Sequence, residues 1–270
     1  MEKLLDIGEK VTVGNIRRLF FYDLTQTTLR FIINAVVIVR CILAKLKLFV
    51  FGDSIINGSG NCDFGIGEYL TREYGFELYK YCVGGARVGY HEGKNWLVEQ
   101  VRKAITDGIK PDIIIFNGFT NDCNKTDGVN CDVRLGEMCE AKDIFLIKPE
   151  EADFTLCFTS IAVAMNKFFP DAKALFVRPH KMGRRDANAQ VVYGKRAVFI
   201  CRQYGIRVAD IYEDSDLDTF DEIQRDKYTF DSYNWGRGDC THPNALCYSE
   251  KYMPVIRSQI DKILEGSPKF

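Results

Sequence analysis

Histidine is scarce in this 270-residue chain, with only His91, His180 and His242. Few imidazoles leave few candidates for a general base that works near neutral pH. No uncharged apolar run reaches the roughly 20 residues of a spanning helix. The mostly apolar stretch Phe31 to Ala44 is broken by Arg40, so no integral membrane segment is expected. Neither charge sign dominates: 36 Lys and Arg face 37 Asp and Glu, a formal net charge of −1. Without a one-signed field the chain is not expected to gather nucleic acid or steer an anionic substrate. The ten cysteines include no Cys-x-x-Cys pair. Cys123, Cys131 and Cys139 are evenly spaced, but structural zinc sites bring ligands in close pairs, so neither a metal nor another cofactor is expected. Scattered free thiols suit a reducing compartment, and no secretory signal is evident near the start; the expectation is a cytoplasmic protein. Internal repeats and low-complexity stretches are missing too.

A 46% hydrophobic chain of this length can fill one large core. Residues 46–270 read as that domain, and residues 1–45 as an N-terminal extension, expected to add a helix or strand pair packed on it. From Leu46 onward strand, loop and helix alternate, the rhythm of a doubly wound sheet. The expected strands are Leu48 to Phe51, Glu77 to Val83, Asp112 to Asn117, Ala174 to Arg178 and Ile206 to Ala209. Leu97, Val101 and Ile105 recur every fourth residue, which predicts an amphipathic crossover helix over Asn95 to Thr106. Further helices are expected over Thr155 to Phe169, over Gln190 to Tyr204, and from near Pro254, where Ile256, Ile260 and Ile263 share a face. The fold class is therefore α/β: three layers with a mostly parallel, five-stranded sheet. The segment 123–152 is long for a plain connection and reads as a lid or a small insertion.

Three short stretches carry chemistry. Gly52-Asp53-Ser54 follows the first strand and puts a hydroxyl at the carboxyl edge of the sheet, where open α/β folds bind ligands. Alone it also reads as a plain turn. Asn117-Gly118-Phe119-Thr120-Asn121-Asp122 follows the third strand, and Asp239-Cys240-Thr241-His242-Pro243-Asn244 lies near the C-terminus. With Gly85 in Val83-Gly84-Gly85-Ala86, the chain resembles the SGNH family of GDSL-type hydrolases, whose letters fall on Ser54, Gly85, Asn121 and His242. The resemblance covers about residues 46 to 265.

A serine nucleophile needs a base within hydrogen-bond reach, and the base needs a partner that fixes its tautomer. Ser54, His242 and Asp239 match those roles. One turn can set the Asp239 carboxylate beside one imidazole nitrogen of His242 while the other faces Ser54. The Gly-x-Ser-x-Gly elbow of ordinary α/β-hydrolases is absent. The resemblance implies an oxyanion hole made by the backbone N–H groups of Ser54 and Gly85, with Gly84 an alternative one residue away, and by the Asn121 amide. Asp53 and Asp122 read as scaffold. Departures from the family pattern are Ile55 for leucine, Phe119 where glycine is commoner, and Arg87 where many relatives have a small hydroxyl residue. Arg87, Trp235 and His180 are candidate substrate-binding residues.

These features predict a serine carboxylic ester hydrolase that removes acetyl or other small acyl groups from a carbohydrate or similar small ester. Acyl transfer, thioester hydrolysis or lysophospholipase action by the same triad stay open as alternatives. A carbohydrate-binding module without catalysis is the reading from another class. Oligomeric state is not legible in the sequence.

Overall fold

Residues 45–231 and 235–265 are described by the computed structural model. Leu46–Lys269 is one compact unit. The element expected within residues 1–45 lies outside the described residues.

Five strands follow the expected rhythm: β1 (Lys47–Phe51), β2 (Glu77–Lys80), β3 (Ile113–Phe116), β4 (Lys173–Arg178) and β5 (Arg207–Asp210). They pair in the order β2-β1-β3-β4-β5, every pair parallel. β1 and β3 are apolar almost throughout because both of their faces are covered by helices, so no polar alternation is possible. The ladder outlasts β2, since Tyr81 N–H donates to Val50 C=O at 2.9 Å and Val83 N–H to Gly52 C=O at 3.1 Å. This order reverses direction between β1 and β3, which opens a crevice at their carboxyl ends.

The helices are α1 (Ser54–Asn57), α2 (Ile66–Tyr74), α3 (Leu97–Thr106), α4 (Phe154–Phe168), α5 (Ala187–Gln203), α6 (Ile211–Asp214), α7 (Glu222–Tyr228) and α8 (Met253–Glu265). In α3 the buried side is Leu97, Val98, Gln100, Val101 and Ala104. The spacing of Leu97 and Val101 announces that face; Gln100 is its one polar member and has a specific task at the site. Aspartates start the longer helices: Asp153 accepts from Leu156 N–H and Asp186 from Ala189 N–H. Each such cap is worth about 1 kcal/mol. α3, α4 and α5 pack side by side, while α2 and α8 are joined by Tyr74 to Asp261 at 2.8 Å and Arg257 to Glu73 at 2.6 Å.

The C-terminal helix departs from expectation. Helical structure begins at Ala245, capped by Asn244, and passes through a π-turn at Tyr248–Tyr252 before α8. Pro254 therefore lies inside the helical run. It has no N–H for the carbonyl one turn back, and the wider π-turn ahead of it absorbs the mismatch. Ile256, Ile260 and Ile263 share the buried face as their spacing predicts.

Residues 123–148 contain neither helix nor strand, yet they are firmly attached. Val133, Ile144 and Ile147 are buried, Arg102 donates to the carbonyls of Ile144 and Ile147, and Tyr193 Oη donates to Val133 C=O. The segment is a strap across the α3–α5 layer rather than a free lid.

Candidate active site

Ser54 opens α1 directly after β1, and the turn that presents it is held by side chains from two other elements. Asp53 Oδ1 accepts from Ile55 N–H at 2.9 Å and from Asn117 Nδ2 at 2.7 Å, while Asn117 Oδ1 accepts from Asp53 N–H at 3.0 Å. Gln100 brackets the residue before: its Oε1 accepts from Gly52 N–H at 2.8 Å and its Nε2 donates to Gly52 C=O at 2.9 Å. Gly52 has φ +138°, and a Cβ there would stand 1.9 Å from Asn117 Oδ1, so no larger residue fits. From the opposite side Tyr248, in the π-turn, donates to Ile55 C=O at 2.5 Å.

His242 arrives on a loop that folds back against α7. Phe230 N–H donates to His242 C=O at 2.8 Å, and Asp239 N–H donates to Phe230 C=O at 2.9 Å. The imidazole Nε2 lies 2.9 Å from Ser54 Oγ, and Nδ1 is hydrogen-bonded to Asp239 Oδ2. Asp239 Oδ1 accepts from Thr241 N–H at 2.9 Å and His242 N–H at 2.8 Å. Burial pulls the Asp239 carboxyl upward, but the His242 imidazole and the two backbone N–H groups outweigh it and hold the group below the usual carboxylate range. An ionised Asp239 keeps the proton on Nδ1 and leaves the Nε2 lone pair facing the serine. Gly60 lets the ring come close: a Cβ there would sit 2.8 Å from His242 Cβ.

Gly85 and Asn121 lie on the loops that follow β2 and β3. Gly85 has φ +74°, with open space where a side chain would begin. Asn121 Nδ2 donates to Ala86 C=O at 3.0 Å, which uses one of its two hydrogens. Gly84, the alternative one residue earlier, is bonded through its carbonyl to Asn95 Nδ2 at 2.9 Å, and a Cβ on it would come within 4.0 Å of Ser54 Cβ. Asp122 anchors the continuation of this loop by accepting from Val88 N–H and Gly89 N–H, both at 2.9 Å. Its complete burial pushes the carboxyl up to about 7 against those two donors. Phe119 carries φ +79° and is fully buried. That left-handed conformation costs a side chain about 1–2 kcal/mol, and it explains why glycine is the commoner residue there; burial of the ring offsets the cost.

Two of the expected substrate-binding residues are buried. Arg87 is 7% exposed; its Nη2 pairs with Asp132 at 2.6 Å and its Nη1 donates to Gly85 C=O at 3.3 Å, so it tethers the strap to the glycine loop. His180 has no exposed surface. Its Nδ1 is 2.7 Å from Tyr252 Oη, and burial pushes the imidazole down to about 3. It is a neutral core residue behind the site. Trp235 stands 79% exposed. A cavity of about 510 Å³ lies on the other side of the glycine loop, lined by Tyr81, Val83, Tyr90, Lys94 and Asn95 among others.

Gln100 and Tyr248 are supporting residues outside the motifs, while Asn117 opens the third block without a role that the block itself reveals. Gln100 leaves a signal of its own, as a polar residue on an otherwise apolar helix face.

A doubly wound parallel sheet with a serine, histidine and aspartate bonded in series at its carboxyl edge belongs to the class of ester-hydrolysing enzymes. Residues 48–253 match the GDSL-like lipase/acylhydrolase family model, and the chain belongs to that family. No curated protein matches the sequence. Among solved structures, one from Lactobacillus plantarum aligns with TM-score 0.62 and 16% identity over 82% of this chain and 98% of the other. Phospholipase A1 from Streptomyces albidoflavus aligns with TM-score 0.52 and 14% identity over 80% and 99%. A carbohydrate esterase family 2 enzyme with a carbohydrate-binding domain, from Corynascus thermopiles, aligns with TM-score 0.53 and 15% identity over 82% and 67%. At such identities the likeness is one of fold. Among the described residues no helix is long and apolar enough to cross a membrane.

Proposed function

We propose that the protein is a serine carboxylic ester hydrolase that works through an acyl-enzyme and removes acetyl or other small acyl groups from a carbohydrate or similar small ester. The single observation that carries the reading is the 2.9 Å contact from Ser54 Oγ to His242 Nε2, with Asp239 on the far side of the ring. In this mechanism His242 takes the Ser54 proton as Oγ attacks the ester carbonyl, then returns it to the leaving alcohol. Water repeats the sequence on the acyl-enzyme and releases the acid. The tetrahedral oxygen is met by the N–H groups of Ser54 and Gly85 and by the second hydrogen of Asn121 Nδ2. A small acyl group suits a nucleophile that is itself only 8% exposed.

A fluorophosphonate probe with peptide mapping tests the nucleophile without requiring the true substrate. Labelling of Ser54 in the wild type, and its sharp loss in His242→Ala, is the expected result. Well-folded wild-type protein that stays unlabelled would refute the triad. Acetylated sugars and short aryl esters would then be turned over in preference to lysophospholipids or acyl thioesters; the reverse preference would replace the small-acyl reading.

A further inference from the structure

Arg185 lies in the connection between β4 and α5, one residue before the capping Asp186. Its guanidinium forks onto two successive residues of the loop after β3: Nε donates to Thr120 C=O at 2.8 Å and Nη2 to Asn121 Oδ1 at 3.5 Å. A third contact, as long as the second, runs from Nη1 to Arg184 C=O at 3.5 Å. Among the described residues it makes no ion pair; the neighbouring Asp186 is taken by Lys125 at 2.9 Å. A guanidinium held largely out of water without a direct ion pair is costly, and arginine does not relieve the cost by losing its proton.

The contacts around Asn121 explain what this charge can do. Its amide has a donor against Oδ1, from Arg185, and an acceptor against Nδ2, the Ala86 carbonyl. Turning the amide over would set N–H against N–H and oxygen against oxygen, so both neighbours select the same sense. Only that sense leaves an N–H, rather than a lone pair, for a developing oxyanion. A cation on the amide oxygen also polarises the group and strengthens the remaining N–H as a donor.

We propose that Arg185 is the positioning residue of the oxyanion site: it fixes the sense of the Asn121 amide and lends its charge to the transition state through that amide. The inference rests on the reading of Asn121 as an oxyanion donor. Nothing in the sequence marks it, because Arg185 lies 64 residues from Asn121 and in none of the family blocks.

The test is a double-mutant cycle in the full chain, with rates on a short aryl ester normalised to the fraction of Ser54 that a fluorophosphonate labels. Asn121→Ala should lower kcat by about 10²-fold. Arg185→Met should lower kcat by about 10-fold with KM nearly unchanged, since the interaction is made in the transition state. In the Asn121→Ala background Arg185→Met should have little further effect. Arg185→Lys keeps the charge without the fork and should restore part of the loss; it also serves if Arg185→Met folds poorly. Additive losses, an effect confined to KM, or unchanged kcat in both Arg185 variants would overturn the proposal while Ser54 labelling upholds the hydrolase reading. Absence of labelling in the wild type would refute both.

Discussion

Ser54 and the Asp239–His242 pair meet across 2.9 Å but are held in opposite ways. The serine turn is fastened by Gln100 and Asn117, which lie 48 and 64 residues away along the chain, and from the other side by Tyr248. The base is fastened nearer in sequence: Asp239 bonds the ring and the backbone N–H of a residue only three positions on, and Phe230 pairs with the backbone of both. The difference separates stability from chemistry. Loss of a clamp on the serine turn strands buried polar groups and weakens the fold, whereas a change within the Asp-x-x-His turn disturbs the proton path and leaves the core intact.

Asp239→Asn should give the largest effect and is the sharpest way to break this contrast. The amide can still accept from Thr241 and His242 N–H, but it no longer favours the tautomer with a free Nε2. Activity on a short ester should fall by about 10⁴-fold. The melting temperature should stay near that of the wild type, and a large drop would show that the local turn also carries the fold.

Asn117→Ala tests the other side. It strands the Asp53 N–H and leaves Oδ1 with Ile55 N–H as its remaining donor, at about 1–3 kcal/mol for the stranded group. Urea unfolding should show a midpoint well below the wild type with the m-value little changed. The base should remain intact, so folded protein should keep measurable Ser54 labelling. Stability equal to the wild type would mean that the long-range clamp is dispensable.

The remaining prediction concerns pH and His180. Its folded-state value of about 3 lies below the ordinary value of 6.5, so between these limits the unfolded chain binds the extra proton and stability falls as pH falls. The expected slope approaches 1.4 kcal/mol per pH unit inside that window. His180→Gln, which can still bond Tyr252, should flatten the wild-type decline measured by thermal melts between pH 6.5 and 4. Parallel curves for the two proteins would show that His180 is not a source of the acid sensitivity.

Motif reading and periodicity reached the parts of the protein that depend on neighbouring residues. The run Leu48 to Phe51, the isoleucines of β3 and the Leu97–Val101 spacing each announce an element because burial on a sheet or helix face repeats at a fixed interval. Asp239 and His242 are legible for the same reason, since three residues make one turn. Arg87 and His180 mark the limit of that reading: a charged or titratable residue near a strand end looks like a ligand contact in the sequence, whereas in the structure both are buried against partners, Asp132 and Tyr252. The start of the last helix was hidden because Pro254 is a strong signal for a first turn and the π-turn that tolerates it inside a helix has no comparable signature.

The amino-acid sequence alone determined the family, the order of strands and helices along the chain, and the residue types able to perform ester hydrolysis, because these rest on composition, local spacing and short motifs. Only the tertiary structure decided which groups meet: that Gln100 and Asn117 clamp the serine turn, that Tyr248 braces it, that Arg87 is spent on Asp132, and that Arg185 reaches Asn121. Each of these contacts joins distant segments whose proximity is set by the parallel crossovers and the burial of the sheet. Hydrogen-bond partners follow from that packing and leave no periodic trace in the chain.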